Sequence, residues 1–334
     1  MISIITSTYN KAQYLELTLA AFTIQTYKEF ELVIVDDGSS DNTEEIVHKY
    51  DKILKIVYVK QENCGIAAAR NKALQLASGK YIIVIDDDRI PNPEFVLTHK
   101  KNLDKGDKIV CIGKQCLVMP FYANGLSFEF KDEMKIYNLY PELLSLESKQ
   151  IITEKEIVTD FYNAINKCYL SVTGNSKLLE SYGEDLKGMF MAWSRAYGGN
   201  IAFDRSLCMR QPEYDTNYKG YGFEDVDFSY QFYLQEYKFC FCKDAVNYHQ
   251  EHLRKKNEVK EQYKNFAYFC KKFPHLEVAL MKMDWEGKMS FEETNIFGNI
   301  IEQYYLELKE LMEDYHERKV KINDIFKGDE ERIG

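Results

Sequence analysis

Apolar and polar positions come in alternating blocks along the first hundred residues. ISIITST from Ile2, ELVIVDD from Glu31, ILKIVYVKQ from Ile53 and YIIVIDDD from Tyr81 are runs rich in β-branched residues, and each reads as a strand. The segments between them read as helices. Asn10 to Thr26 puts Leu15, Leu19 and Phe22 on one face, TEEIVHKY follows the turn GSSDNT, and the alanine-rich GIAAARNKALQLA is stopped by SGK. Continuous apolar strands alternating with helices predict a parallel sheet covered on both faces. Ligands of such sheets sit at the carboxyl ends of the strands. Three predicted strand ends carry polar clusters there: Ser7 to Asn10, Asp36 with Asp37, and Asp86 to Asp88. They are expected to converge on one edge.

The pattern then loosens. KIVCIGKQCLVM reads as a strand, and residues 126–168 read as mostly helical and charged. Short irregular pieces lead to KFCFCKDAVNYHQEH. After about residue 253 the pattern is helical again, with Ile300, Tyr304, Leu308, Leu311 and Tyr315 at helical spacing. No internal repeat or low-complexity linker interrupts the chain.

Composition narrows the classes. The chain has 334 residues and is 45% hydrophobic, enough for one large or two modest domains with a sizeable core. A formal net charge of −10 argues against non-specific nucleic-acid binding, but not against a nucleotide held through a metal ion. MISIITSTYN lacks a basic leader and its apolar run is short for a signal peptide. No stretch reaches the roughly 18 apolar residues needed to span a bilayer. The eight cysteines, including Cys240 and Cys242 in FCFC, show no paired metal spacing and read as reduced core thiols. The 25 tyrosines suit stacking on sugars and bases without being diagnostic.

Four constellations carry candidate chemistry. The first and third carboxylates of Asp86-Asp87-Asp88 can point the same way and suit a hard divalent cation that also holds phosphates. A solvated turn before proline explains them equally well. Asp36 and Asp37 suit either a base or ribose contact or a helix-capping turn in which Ser40 or Asp41 caps the helix near Thr43. In GYGFEDVDFSYQF, Glu224, Asp225 and Asp227 open a helix with Phe228, Phe232 and Tyr233 facing inward. The helix dipole alone accounts for acids in a first turn, and for Asp227 in full. Gly220 and Gly222 beside Tyr221 and Phe223 suggest instead a tight loop near a ligand, where a carboxylate serves as general base. Tyr248 to His252 places two histidines around a glutamate in a chain with six His, which raises the case for a metal, though HQEH is not a zinc-protease motif.

The order of these pieces is more specific than any one of them. IITSTYNKAQYLELTLAAFTIQTYKEFELVIVDDGSSDNT, NCGIAAARNKALQLASGKYIIVIDDDRIPNPEF, GGNIAF, GFEDVDFSYQ and YHQEH together resemble an inverting glycosyltransferase of family 2 with the GT-A fold, over roughly residues 1–252. The later pieces resemble enzymes that polymerise chondroitin-like surface polysaccharides and, more distantly, polypeptide N-acetylgalactosaminyltransferases. The resemblance implies an α/β fold: a Rossmann-like mixed sheet flanked by helices, with a helical C-terminal extension. It divides the chain into a UDP-sugar-binding half at 1–110, an acceptor-binding and catalytic half at 111–252, and an extension at 253–334.

Roles follow by the same resemblance. Thr8 and Tyr9 line the uracil pocket, Asp37 accepts from the ring, and Arg70 lies near the nucleotide. Asp86 and Asp88 match the D-x-D motif, Asp86 toward the ribose and Asp88 toward Mn²⁺ or Mg²⁺. His249 is the further metal ligand, with His252 as its alternative. Gly199 and Asn200 bound the sugar pocket, and Trp193 walls a sugar ring or sits in the core. Asp225 is the general base, and Glu224 orients sugar or acceptor. Asp87 receives no role. The implied partners are a UDP-sugar donor and a carbohydrate acceptor, with a peptide acceptor or an inactive sugar-nucleotide binder as alternatives. No lectin-like module follows residue 253. The tail, beginning with Lys255, Lys256, Tyr263, Phe266 and Phe269, is expected to pack on the catalytic domain or a second subunit, with peripheral membrane association as the other reading. A cytoplasmic location, or the inner membrane face, fits that picture.

Overall fold

The computed structural model describes residues 1–124, 126, 137–253, 258–305 and 307. The expected spacing of Leu308, Leu311 and Tyr315, and the basic pair Lys255 and Lys256, lie outside the described residues. The chain divides into two units, Met1–Lys187 with Ala192–Lys272, and Gly188–Met191 with Phe273–Gly334.

The first unit is built on one mixed sheet. β1 (Ile2–Thr8), β2 (Phe30–Asp36), β3 (Ile56–Lys60) and β4 (Tyr81–Ile85) pair in parallel in the order β3-β2-β1-β4. Their connections are the helices α1 (Ala12–Thr23), α2 (Thr43–Tyr50) and α3 (Ile66–Leu76). The sequence pattern is realised here almost to the residue, because β1, β2 and β4 are covered on both faces and their apolar runs have nowhere else to go. Parallel order stops at β4.

β5 (Arg89–Pro91) follows the triple aspartate, α4 (Phe95–Leu103) follows β5, and β6 (Ile109–Val118) is the long central strand. β7 (Phe121–Ala123) and β8 (Ser148–Gln150) form a separate ribbon, and β9 (Tyr169–Val172) pairs with β6. β10 (Asn200–Asp204) runs antiparallel between β4 and β6. β11 (Lys238–Gln250) runs parallel to β6, with a break in register between Cys242 and Val246, and then pairs antiparallel with β5. That last pairing sets His249 opposite Arg89, and Gln250 N–H donates to the Asp88 carbonyl at 2.9 Å. The end of β11 is thereby fixed against the acidic turn. Gln250 itself is structural, since its Nε2 donates to the Tyr14 carbonyl and Thr18 Oγ1 at 2.9 and 3.2 Å.

The reading of 126–168 as mostly helical holds for Glu154–Thr159 and Phe161–Cys168, while Ser148–Gln150 is strand; residues 127–136 lie outside the described set. The helix Glu258–Lys272 ends in Lys272, which bonds Asp215 and Asp227 at 2.6 Å each. Asp227 is fully buried and also accepts from Tyr218 Oη at 3.0 Å, so it has a structural anchor beyond the helix dipole.

In the second unit the helix Leu276–Trp285 precedes a helix over 291–305 that Ser290 and Glu293 start with reciprocal caps. Asn295 and Asn299 bond the backbone of Met191 and Gly188, which ties the short segment 188–191 to that helix. No described helix of either unit is long and apolar enough to cross a membrane.

Candidate active site

The three polar strand ends do converge. Asp37 N–H donates to the Thr8 carbonyl at 2.9 Å, Asn10 N–H to Ser39 Oγ at 2.9 Å, and Lys11 bonds Asp88. Tyr9 stands at this edge with 47% of its surface exposed, free to take a planar ring, whereas Thr8 beside it is buried.

The acidic turn after β4 gathers cations from four elements. Arg70, buried on α3, places Nη2 2.7 Å from Asp86 Oδ1 and Nη1 2.6 Å from Asp225 Oδ1 and 3.4 Å from Glu224 Oε1. It therefore links the D-x-D turn to the Glu-Asp pair. Arg89 Nε lies 3.4 Å from Asp86 Oδ2 and 3.7 Å from Asp88 Oδ1. Burial opposes ionisation of Asp86, but the two arginines outweigh it and hold its carboxyl below the usual range. A β-carbon on Gly199 would meet Asp86 Oδ2 at 2.7 Å and Arg89 Nη2 at 2.8 Å, so any larger residue there would push this ion pair aside.

Asp88 faces a different set of groups. Its Oδ2 lies 3.2 Å from His252 Nε2 and 3.7 Å from His249 Nε2, and bonds the Lys11 ammonium. Burial would raise its pKa, but His249 and Lys11 hold it well below the usual value. Lys11 also sits 3.0 Å from His252 Nε2 and 3.8 Å from Asp87. Burial and Arg89 disfavour the His249 imidazolium, yet Asp88 and Glu251 outweigh them and raise its pKa. Glu251 Oε1 holds His249 Nδ1 at 3.3 Å, and the Leu253 carbonyl holds His252 Nδ1 at 3.1 Å. Both rings thus turn Nε2 toward Asp88, the arrangement in which an outer acceptor orients a ligating imidazole. Asp88, His249 and His252 each bring a ligand atom within 4.8 Å of the others. Asp88 Oδ1 is buried without a hydrogen-bond partner. Two imidazoles and a carboxylate with one orphaned oxygen fit a divalent ion. The expected alternatives His249 and His252 come together rather than competing. Asp87, pushed up to about 7 by burial, with Lys11 opposing and Asp88 adding to it, remains outside this set.

The Glu-Asp pair opens the helix Glu224–Tyr233. The glycine loop before it is braced by the helix Glu258–Lys272. Asn265 Nδ2 donates to the carbonyls of Lys219, Tyr221 and Gly222, and Glu261 accepts from Tyr221 N–H at 3.0 Å. Glu224 is nearly buried, and burial with the neighbouring Asp225 charge pushes it up to about 7 against the pull of Arg70. The Asp225 side chain is 20% exposed and is the one of the two that an incoming group reaches. Burial raises its pKa too, opposed by Arg70.

Two expected sugar contacts are corrected by burial. Trp193 is fully buried against Tyr230 and Phe269, with ring centroids 4.6 and 6.0 Å away, and is a core residue. Asn200 is also fully buried. Its amide donates to the carbonyls of Lys114 and Ala245 and meets His99, so it props the sheet instead of lining a pocket. Asp37 is mostly committed to its own loop, accepting from Gln61 Nε2, Cys64 N–H and Gly65 N–H at 2.8 Å each. Of about four acceptor positions on a carboxylate, one on Oδ2 is left. Neither Ser40 nor Asp41 is the N-cap of α2, which is Asn42 without a side-chain cap, but Asp41 accepts from Thr43 Oγ1 at 2.5 Å, from Thr43 N–H at 3.2 Å and from Ala12 N–H of α1 at 3.0 Å. Sequence reasoning missed Lys11, because a lone lysine before a helix carries no signal, and the Arg70–Asp225 bond, because it joins two helices far apart in the chain.

Residues 3–139 match the family described as Glycosyl transferase family 2. The chain is 29% identical over 294 residues to the chondroitin synthase of Escherichia coli, covering 84% of this chain and 40% of that one. The crystal structure of S. aureus TarS 1-349 in complex with UDP superposes with a TM-score of 0.50 at 18% identity, covering 85% of this chain and 65% of that one. The mannosyltransferase PcManGT from Pyrobaculum calidifontis, in complex with GDP-Man and Mn²⁺, also gives 0.50, at 19% identity, with 89% and 73% covered. With the mixed sheet and the converged acidic edge, these likenesses make the N-terminal part of this chain a glycosyltransferase family 2 domain of GT-A architecture.

Proposed function

We propose that the protein moves a sugar from a UDP-sugar to an acceptor hydroxyl with inversion at the anomeric carbon, in the building of a surface polysaccharide. The observation that carries the reading is the joining of two carboxylate groups by Arg70, with Asp86 and the nearby Asp88, His249 and His252 on one side and Glu224 with Asp225 on the other. The relatives named above support the substrate class: one is a chondroitin synthase, one neighbour was solved with UDP, and another with GDP-Man and Mn²⁺.

Asp88, His249 and His252 would hold Mn²⁺ or Mg²⁺, which supplies positive charge for a leaving diphosphate. The chain's own residues do the rest. Tyr9 offers its exposed ring to the base, and the remaining lone pair of Asp37 accepts from it. Lys11 keeps a second positive charge at the turn. Asp225 takes the proton of the acceptor hydroxyl as that oxygen bonds to C1 and the bond from C1 to the UDP oxygen breaks. A raised pKa makes Asp225 a stronger base than an ordinary carboxylate, and Arg70 keeps it ionised. Glu224, deeper in the cleft, fixes the Arg70 fork.

The test is UDP release from a panel of UDP-sugars, with and without Mn²⁺, in the presence of oligosaccharide acceptors. Metal-dependent release from one donor is expected. Release unaffected by chelator, or none with any donor alongside absent UDP binding, contradicts the reading.

A further inference from the structure

A second group of metal-ligating side chains lies in the core of the sheet, apart from the carboxylates. Cys111 on β6, Cys242 on β11 and His99 on α4 each bring a ligand atom within 4.8 Å of the others. Cys240 lies beside the two thiols, its Sγ 3.6 Å from Cys111 Sγ and 3.9 Å from Cys242 Sγ. The grouping follows from the fold. Cys240 and Cys242 are two residues apart on one strand and share a face. Cys240 is the register partner of Cys111, so their side chains leave the sheet together. α4 packs across that face and delivers His99.

The state of His99 is set by its neighbour. Asn200 Nδ2 donates to the carbonyls of Lys114 and Ala245 at 3.2 and 3.0 Å, which leaves Oδ1 as the acceptor. That oxygen lies 2.9 Å from His99 Nε2, so Nε2 carries the proton and Nδ1 the lone pair. His99 has no exposed surface, and its Nδ1 is buried without a hydrogen-bond partner. Gly113 makes the arrangement possible, because a β-carbon there would lie 2.2 Å from Asn200 Oδ1. An outer acceptor that takes the proton of one ring nitrogen and leaves the other bare is the kind of surround that orients a metal-bound histidine.

We propose that Cys111, Cys240, Cys242 and His99 bind a structural zinc ion. A tetrahedral ion about 2.3 Å from each sulfur sets neighbouring sulfurs about 3.8 Å apart, between the two sulfur separations seen here. Three thiols and one imidazole are a closed donor set with no open position, which makes the ion structural and not catalytic. Soft thiolates select zinc over the magnesium or manganese that suit Asp88 and its histidines. Each coordinating thiol gives up its proton to solvent on binding, and burial that lowers the His99 pKa to about 4 keeps its nitrogen available at neutral pH. The ion ties α4, β6 and β11 together just before the register break in β11, and so steadies the strand that carries His249 near its end.

The full chain, purified under reducing conditions without chelator, is expected to carry about one zinc per chain that survives dialysis against EDTA. A mercurial that titrates the buried thiols should release it. Protein refolded with Co²⁺ should show sulfur-to-cobalt charge-transfer absorption, which a site of one carboxylate and two imidazoles cannot give. Asp88→Asn should keep the zinc and that absorption; Cys242→Ser should lose both. Because Cys242→Ser also removes a core thiol, the wild-type metal content and cobalt spectrum decide the matter. Zinc below about a tenth per chain with no charge-transfer band, or a Cys111–Cys240 disulfide found by mass spectrometry of the untreated protein, overturns the proposal.

Discussion

β2 and β4, the strands on either side of β1, run into consecutive aspartates, and the two ends are satisfied in opposite ways. After β2, Asp36 accepts from Ser39 N–H and Tyr58 Oη at 2.7 and 2.8 Å, while Asp37 accepts from Gln61, Cys64 and Gly65. Every one of those donors is neutral and comes from the adjoining loops or, for Tyr58, from the edge strand β3. After β4, Asp86 and Asp88 face Arg70, Arg89, Lys11 and two histidines. Neutral donors fixed by a loop make a carboxylate part of the scaffold. Side-chain cations and an orphaned Asp88 oxygen leave a carboxylate ready to exchange partners when a charged ligand arrives. Position at a strand end is therefore shared by both pairs, and the surrounding charge separates structure from function.

Substitutions at the two ends should split accordingly. Asp88→Asn is expected to lower turnover by about 10³-fold or more while the protein remains folded by circular dichroism. Asp225→Asn should cost about 10²–10⁴-fold in kcat and leave UDP affinity within a few-fold, read by steady-state kinetics beside calorimetry. Arg70→Met leaves buried carboxylates without their cation, and a loss of about 3–5 kcal/mol is expected in urea unfolding. Asp37→Asn shows the reverse pattern of Asp88→Asn. It turns an NH₂ toward a loop N–H, costs about 1–3 kcal/mol of stability, and leaves kcat within about tenfold. If Asp37→Asn instead abolished turnover in a fully stable protein, the contrast between the two ends would be lost.

A pH effect sharpens the same contrast. Glu224 has a folded pKa near 7 against an ordinary 4.5. Its folded form holds the proton more tightly, so its contribution is fully present below about pH 4.5 and is lost as pH rises through 7. The size is on the order of 3 kcal/mol. Glu224→Gln should flatten the fall in unfolding free energy between pH 5 and pH 8. An unchanged slope would mean that another group titrates there.

The parallel quartet was legible because burial on both faces writes itself as unbroken apolar strands, and the convergence of Thr8, Asp37 and Asp86 to Asp88 follows from topology alone. The approach of His249 to Asp88 was legible only through family resemblance, since it depends on the antiparallel pairing of β5 with β11. Arg70 could be placed near the nucleotide, but not between Asp86 and Asp225, because no spacing encodes a bond among α3, the β4 turn and the helix Glu224–Tyr233. Asn200 was misjudged, and Trp193 was left open between a sugar wall and the core, for one reason: a motif position says where a residue lies along the chain, not which way its side chain turns. The sulfur cluster was invisible in sequence, as strand register brings Cys111 to Cys240 and a helix adds His99.

The central claim is that Asp88, His249 and His252 hold the divalent ion through which the nucleotide binds. Titration calorimetry of UDP into the protein, with Mn²⁺ and with EDTA, tests it most directly when repeated on His249→Ala and His252→Ala. The account predicts binding with Mn²⁺, at least tenfold weaker binding with EDTA, and loss of the Mn²⁺ effect in both variants. Equal binding with and without the metal, or a full Mn²⁺ effect in both variants, would contradict it.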